Sequence, residues 1–276
     1  MINRTKKIVL YVTFLLFSAV LSNAFVPNGD MVLDVMLKKL KASKTFVVKQ
    51  NIVFMKSRQD DSSGKIREVF PETLKYVFPD KFRSDIVSDD MKRVYVTLKG
   101  QTIKIINGQR AVVSDSGFEL YKELLLLRSK PLLKKRLDLT GVDLSVVSLG
   151  RIDGNIAYVI GANYPNESMS QLWVDRKTFL PVKWVVKVKS AELFEFYYKN
   201  WEKKHLIWYP MRIESYLNKE LMRVADVLKT DESSKINYKD FDIKHLEFLY
   251  PFIESEEEEN SDEIQETIEK FTKIYK

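Results

Sequence analysis

A change in hydrophobic period near Thr45 separates a helix from a series of strands. Leu33, Met36, Leu37 and Leu40 recur at helical spacing in "PNGDMVLDVMLKKLKAS", which predicts one short amphipathic helix. From Thr45 the period becomes two, as in "TFVVKQNIVF". Similar short segments follow at intervals of about eight to ten residues, with turn residues between them, and this pattern predicts an antiparallel meander.

The strand pattern is interrupted once, in mid-chain. The stretch "GFELYKELLLLRSKPLLKKRLDLTG" carries leucines at helical spacing on both sides of Pro131 and predicts two short helices. Strands then resume and continue to "LMRVADVLKTD". We count about eleven strands, too many for one flat open sheet. The expected fold is therefore mainly β: a curled antiparallel sheet with a concave face, an N-terminal helix and mid-chain helices.

The first 24 residues have the pattern of a targeting segment. Three basic residues precede the apolar run "IVLYVTFLLFSAVL", and Ser22 and Ala24 fit a cleavage site. The run is shorter than the roughly 20 residues that a membrane span needs. This predicts a cleaved secretory signal peptide over residues 1–24 and a periplasmic mature chain, with an uncleaved N-terminal anchor as the alternative.

Charge is unevenly distributed over the rest of the chain. Residues 251–276 carry a net charge of −6, whereas residues 25–250 carry +10. We predict one domain over residues 25–250, followed by an acidic tail whose apolar residues at helical spacing suggest a short amphipathic helix. Because an exported protein does not normally meet nucleic acid, the basic charge favours anionic lipid head groups or an acidic partner. The alternative is that the charge serves solubility alone.

Residues for catalysis or metal binding are scarce. The chain has no cysteine, and His205 and His245 are its two histidines, without neighbouring acidic ligands. It has no glycine-rich phosphate loop and no G-x-S-x-G motif. We predict no metal, no cofactor and no catalytic residue, and we do not expect an enzyme.

Aromatic and aliphatic side chains are instead abundant on the predicted strands. They could simply fill a core. Because a wide curled sheet can also enclose space for a ligand, an apolar cavity covered by the mid-chain helices is the second possibility.

Several segments, in this order, carry a resemblance to a known family. They are "TFVVKQNIVF", "ETLKYVFPDKFRSDIV", "YVIGANYPNESMSQLWVDRKTFLPVKW", "IWYPMRIESYLN" and "INYKDFDI". Together they resemble the LolA/LolB-like family of periplasmic lipoprotein carriers over most of the mature chain. The resemblance implies an incomplete antiparallel barrel with helices as a lid, whose concave face takes lipid acyl chains. It also implies an inner-membrane release machinery and an outer-membrane acceptor as partners, with the carrier itself a monomer.

Candidate ligand-binding residues are those expected to line the cavity or the lid. They are Phe46, Tyr76, Phe78, Phe82, Leu125, Leu132, Trp173, Trp184 and Phe196. The chain departs from the family at Phe78, because classical carriers have an arginine tied to lid closure at that position. The segment from Asp175 to Lys177 is expected to be a rim turn between two adjacent strands, although alternation leaves open which residues beside it face inward.

The resulting functional hypothesis is a periplasmic carrier that binds acyl chains of lipoproteins, or another lipid, and delivers them toward the outer membrane. The alternative is a periplasmic lipid-sensing or regulatory domain on the same scaffold, of the type that binds an anti-sigma factor. The acidic tail is the feature that favours this alternative.

Overall fold

The computed structural model describes residues 27–252 except for six short gaps, at 41–42, 57–65, 90, 112–116, 189–191 and 233–234. The predicted signal peptide and the acidic tail beyond residue 252 lie outside the described residues.

Four α-helices occur in the described part of the chain: α1 (Gly29–Leu40), α2 (Leu120–Leu126), α3 (Lys130–Leu139) and α4 (Ile243–Leu249). Short 3-10 turns, Gly117–Glu119 and Tyr238–Phe241, precede α2 and α4. The N-terminal helix and the two mid-chain helices match the predicted ones, and Pro131 stands in the first turn of α3, where a proline is tolerated. In the portion of the chain described, none of the helices is long and apolar enough to cross a membrane.

Thirteen strands occur in the same described ranges. They are β1 (Thr45–Lys56), β2 (Ile66–Val77), β3 (Lys81–Val87), β4 (Lys92–Leu98), β5 (Gln101–Ile106), β6 (Gln109–Ala111), β7 (Val147–Ile152), β8 (Asn155–Ile160), β9 (Gln171–Asp175), β10 (Pro181–Lys187), β11 (Leu193–Lys204), β12 (Ile207–Leu217) and β13 (Glu220–Asp231). The number exceeds the expected eleven.

All thirteen strands belong to one antiparallel sheet. One meander runs from β1 to β6 and a second from β7 to β13, and the pairing of β1 with β13 joins them. The edge strands β6 and β7 are not paired with each other in the described structure, so the sheet is open. The chain between these edges forms α2 and α3, which places the mid-chain helices at the open side. The expected incomplete barrel is confirmed.

The sheet is strongly curved. Tyr76 on β2 and Tyr209 on β12 are separated by two intervening strands, β1 and β13, which corresponds to roughly 14 Å in a flat sheet. Their hydroxyl oxygens nevertheless lie 3.1 Å apart. Side chains on this face therefore converge, and it is the concave face.

The main core lies on the concave face, where α1, α2 and α3 pack against the strands. The helical side chains in this core include Leu33, Met36, Leu124, Leu133 and Leu137, all at most 1% exposed. The convex face carries two smaller clusters, one of which forms where α4 packs on β4 and β5. The helices thus cover one face at its open side and part of the other face.

The turn after β9 shows how the strands alternate between these faces. Asp175 Oδ1 accepts hydrogen bonds from the backbone amides of Lys177 and Thr178, and β9 and β10 pair antiparallel on either side. The expected turn between adjacent strands is confirmed. Leu172 lies in the concave-face core, whereas Trp173 packs in a convex-face cluster with Ala157, Val159 and Ala162.

We predict that Gly150→Ala destabilises the protein through Trp173. A Cβ on Gly150 of β7 would lie 2.6 Å from the Trp173 ring and 2.8 Å from Val159, and overpacking of this kind costs about 1–3 kcal/mol. Urea unfolding should show this loss, and it should be smaller in a Trp173→Phe background, because phenylalanine lacks the ring atoms that clash. An equal loss in both backgrounds would contradict the convex-face position of Trp173.

Candidate functional site

Most of the candidate residues converge on the concave face. Phe46, Tyr76, Phe82, Trp184 and Phe196 come from five different strands and are at most 1% exposed. They belong to one contiguous apolar core. The curvature of the sheet thus brings together residues that are up to 150 positions apart in the sequence.

The remaining four candidates differ in position. Leu125 of α2 is fully buried in the same core, and Leu132 of α3 is half-buried. Phe78 is half-buried at the end of β2, where its ring stacks on Tyr76 with centroids 5.8 Å apart. Trp173 lies on the convex face, away from the other eight. An interior ligand would therefore not meet Trp173.

Side chains of the helices occupy the space inside the curved sheet. Tyr121 of α2 is fully buried, and its ring centroid lies 6.2 Å from that of Phe196 on β11. Phe196 in turn lies 6.1 Å from Trp184 on β10. The aromatic contacts run without a break from α2 to the strands, so these side chains fill this part of the interior.

Five charged side chains form a buried cluster between α2 and the sheet: Glu72, Arg93, Glu119, Lys122 and Arg223. The Lys122 ammonium lies 2.6 Å from Glu72 Oε1 and 2.7 Å from Glu119 Oε2. Arg93 Nη1 donates to Glu119 Oε1 at 3.1 Å, and Arg223 Nη1 lies 3.6 Å from the same oxygen. The first turn of α2 is thereby fixed to β2, β4 and β13.

Neutral groups extend the charge cluster. Ser84 Oγ donates to Glu72 and accepts from Arg93 Nη2 at 3.0 Å. Gln50 Nε2 donates to Glu72 and to the Tyr121 hydroxyl, the latter at 3.1 Å. Because polar groups buried in an apolar interior are costly without partners, this network favours one position of α2 on the sheet.

Two carboxylates face three cations in this cluster, and the charges alter the titration of Glu119. Burial alone would raise the pKa of Glu119, but the positive charges of Lys122, Arg93 and Arg223 outweigh burial and hold its pKa well below the ordinary value of 4.5. The carboxylate is therefore ionised at neutral pH, and the cluster retains a net positive charge.

Sequence reasoning did not find this cluster, although part of its signal is present. Gln50 lies two residues from Val48 on β1, and Glu72 lies two residues from Leu74 on β2. Val48 and Leu74 face the core, so Gln50 and Glu72 are on the same face. A polar residue within such a series indicates a buried polar contact. The partners on β4, β13 and α2 carry no comparable signal, because their proximity depends on how the sheet curves.

Helix α3 is held differently from α2. Leu133 and Leu137 pack into the core, and its ion pairs are half-exposed: Arg136 pairs with Glu123 of α2, and two lysines pair with α1. Lys130 Nζ lies 2.7 Å from Asp34, and Lys134 Nζ lies 2.7 Å from Asp30. Exposed ion pairs contribute little to stability and are screened by salt. The polar contacts of α3 are therefore more exposed than the buried charge cluster that holds α2.

A cleft of about 570 Å³ lies beside the exposed side of α3 and the loop after it. Its lining includes Lys134, Lys135, Asp138 and Asp143. A cleft with these charged walls does not suit an apolar chain, whereas the concave face offers apolar surface beneath the helices. The concave face is therefore the candidate binding site.

Comparison with known proteins identifies the fold. No protein-family model matches the sequence, and no curated protein matches it. Among solved structures, similar folds include a LolA superfamily protein from Nitrosomonas europaea, with 14% identity, a TM-score of 0.53 and coverage of 78% of this chain and 98% of the other. An outer-membrane lipoprotein-sorting protein domain from Vibrio parahaemolyticus has 10% identity, a TM-score of 0.53 and coverage of 79% and 97%.

A third similar structure is a DUF1329 family protein from Desulfovibrio piger, with 14% identity, a TM-score of 0.53 and coverage of 79% of this chain and 97% of the other. These similarities show the fold: the chain has a LolA/LolB-like fold. The family resemblance seen in the sequence is thus confirmed at the level of the fold.

We predict that charge balance governs the response of the buried cluster to mutation. Glu72→Gln leaves three cations facing the single carboxylate of Glu119 and should cost about 3–5 kcal/mol, as expected for breaking a buried ion pair. Lys122→Met removes the excess cation and leaves two carboxylates with two arginines, so its cost should be smaller. Urea unfolding of both variants measures the difference. Equal losses would show that net charge does not decide the stability of the cluster.

A second prediction concerns acid stability. Because the pKa of Glu119 is lower in the folded than in the unfolded chain, the stability from its ionised form is complete above about pH 4.5 and is lost as the pH falls toward the folded pKa. Urea midpoints measured from pH 7 to pH 3 should therefore fall less steeply for Glu119→Gln than for the unmodified protein. Parallel curves would argue against an ion-paired Glu119.

Proposed function

We propose that this protein is a periplasmic carrier that binds the acyl chain of a lipoprotein or another lipid on the concave face of its sheet and delivers it toward the outer membrane. The observation that carries the proposal is the buried apolar surface of the concave face, beneath helices that connect the two edges of the sheet. The LolA/LolB-like fold supports the same role. Such a carrier needs no covalent chemistry and therefore no catalytic residue.

The apolar surface is of the right kind for an acyl chain. Five candidate side chains on the strands, together with Leu125, supply aromatic and aliphatic contacts at one site. Each buried methylene contributes about 0.8 kcal/mol, so a chain of roughly 14 to 16 carbons gains near 10 kcal/mol. That gain would offset part of the cost of moving the side chains that now fill the site.

An acyl chain can reach the concave face only if the cover, helices α2 and α3, opens. The polar contacts of the two helices indicate which of them moves. The buried charge cluster holds α2 on the sheet, whereas α3 is joined to α1, and by Arg136 to Glu123 of α2, through half-exposed ion pairs. In the proposed mechanism α3 swings away from α1, and the link Leu127 to Ser129 acts as the hinge. The half-buried Leu132 would then be among the first cover residues to meet the ligand.

The alternative function is regulation: a protein of the same fold would bind a protein partner and would not transport lipid. A regulatory domain would bind a membrane-anchored protein partner in stoichiometric amount and would not transfer lipid to acceptor membranes. A pull-down from the native host, paired with a vesicle-transfer assay, separates the two functions. Recovery of a single-span membrane protein without any lipid transfer would favour regulation over transport.

We predict that holding α3 against α1 blocks ligand entry. Because the chain has no cysteine, Asp30→Cys and Lys134→Cys together introduce a unique pair, one turn away from the hinge, that a short, reducible bis-maleimide can join. Uptake of a fluorescent fatty acid should fall at least ten-fold after cross-linking and should recover when the linker is reduced, which serves as the matched control.

Undiminished uptake by the cross-linked protein would contradict the proposed movement of α3. Native mass spectrometry of the protein purified from its own periplasm tests the carrier function itself. Protein that is free of lipid, and that also fails to bind fatty acids, would overturn the proposal.

A further inference from the structure

The link between α2 and α3 contains an arginine in an unusual environment. All three guanidinium nitrogens of Arg128 are buried, and none has a hydrogen-bond partner among the residues that the structure describes. The centre of the guanidinium lies 5.6 Å from the centroid of the Phe78 ring. Arginine side chains ordinarily keep the charged group in water or pair it with an acceptor. Within the described ranges, Arg128 is thus a buried group of hydrogen-bond donors without an acceptor.

Burial lowers the pKa of Arg128 to about 10, which leaves the guanidinium protonated at neutral pH. Other buried cations are placed differently. Lys122, for example, lies within 2.7 Å of the carboxylates of Glu72 and Glu119. A buried cation without such a counter-charge is costly, and an anion that reached Arg128 would remove that cost.

Two tyrosines near Arg128, Tyr76 and Tyr209, add a hydrogen-bond donor and carry no negative charge. The hydroxyls of Tyr76 and Tyr209 lie 3.1 Å apart, and their mutual hydrogen bond uses one of the two hydroxyl protons. Burial raises the pKa of both phenols, so both are neutral at pH 7. One phenolic proton and the N–H groups of Arg128 therefore remain as donors. The Arg128 guanidinium lies 5.6 Å and the Tyr76 ring 5.8 Å from the centroid of the Phe78 ring, so the donors share one neighbourhood and form a set that suits an anion.

The position of this donor set defines the ligand further. Phe78 is half-buried at the end of β2, whereas Tyr76, two residues earlier, belongs to the concave-face core. The donors thus lie where the apolar interior meets the rim. A carboxylate or phosphate placed there would have apolar surface on its inner side.

We propose that Arg128, with Tyr76 and Tyr209, binds the carboxylate or phosphate head group of an amphiphile whose apolar chain lies along the concave face. This inference rests on the proposed function and adds specificity for an anionic head group. The planar guanidinium can donate two parallel hydrogen bonds to either anion. Because Arg128 lies in the link between α2 and α3, the head group would bind at the hinge of the cover.

The test compares amphiphiles that differ in the head group. Binding of dodecanoate, dodecyl phosphate, dodecan-1-ol and inorganic phosphate is measured by calorimetry on the full chain and on Arg128→Met. The matched control is Lys135→Met, which removes an exposed cation from α3. The unmodified protein and the control should bind each anionic amphiphile at least ten-fold more tightly than dodecan-1-ol. Arg128→Met should bind all three amphiphiles equally, with unchanged affinity for dodecan-1-ol.

Thermal unfolding without ligand supplies a readout that separates binding from a structural role. Because Arg128 is a buried cation without an acceptor, Arg128→Met should unfold at the same temperature as the unmodified protein or at a higher one. A lower unfolding temperature together with weaker binding of every amphiphile would make Arg128 a structural residue and overturn the inference.

Three further outcomes are decisive. An unchanged preference for anionic amphiphiles in Arg128→Met would overturn the role of Arg128 and leave the carrier proposal standing. Inorganic phosphate that binds as tightly as dodecyl phosphate, and requires Arg128, would show that the site takes a free anion and would overturn the amphiphile assignment. Failure of the unmodified protein to bind any amphiphile would contradict the proposed function itself.

Discussion

The curvature of the sheet is the constraint on which the rest of the structure depends. Thirteen antiparallel strands curl until Tyr76 and Tyr209 touch across two intervening strands, yet the edge strands β6 and β7 remain unpaired with each other in the described structure. The side chains of the strands alone do not fill the space inside this open curve. Helices α1, α2 and α3 complete the core, and α2 and α3 do so from the segment that connects the two edges.

The two mid-chain helices meet the sheet through different interactions. An apolar contact alone would allow α2 to slide or rotate, because the hydrophobic effect has no direction. The buried carboxylates of Glu72 and Glu119 are directional, and they accept from Lys122 and Arg93 in one arrangement. Helix α3 lacks a buried contact of this kind in the described structure. In the proposed carrier, α2 therefore stays fixed to the sheet and α3 moves.

The departure at Phe78 has a structural counterpart. The family resemblance leads one to expect an arginine at this position of the strand, but the chain has a phenylalanine. A guanidinium nevertheless lies next to it, because Arg128 reaches the Phe78 ring from the link between α2 and α3. The cation at this rim, Arg128, therefore belongs to the link between α2 and α3 and not to the sheet. It would move when the hinge moves.

The sequence by itself determined the kind of elements and their order. Periods of two and of 3.6 residues located the strands, the N-terminal helix and the mid-chain break at Pro131, because these patterns depend on local geometry. The number of strands also implied a curled sheet. Alternation did not decide the faces, since Leu172 and Trp173 are both large and apolar although they point to opposite sides.

Tertiary structure decided the face of each strand, the buried charge cluster and the environment of Arg128. Arg93, Lys122 and Arg223 come from separate parts of the sequence, and nothing local distinguishes them from the many solvated charges of the chain. Their proximity, like the position of Arg128 beside Phe78, depends on how far the sheet curls and where the connecting helices lie across its open side. These are long-range properties of the fold, and residue order along a single strand or helix does not encode them.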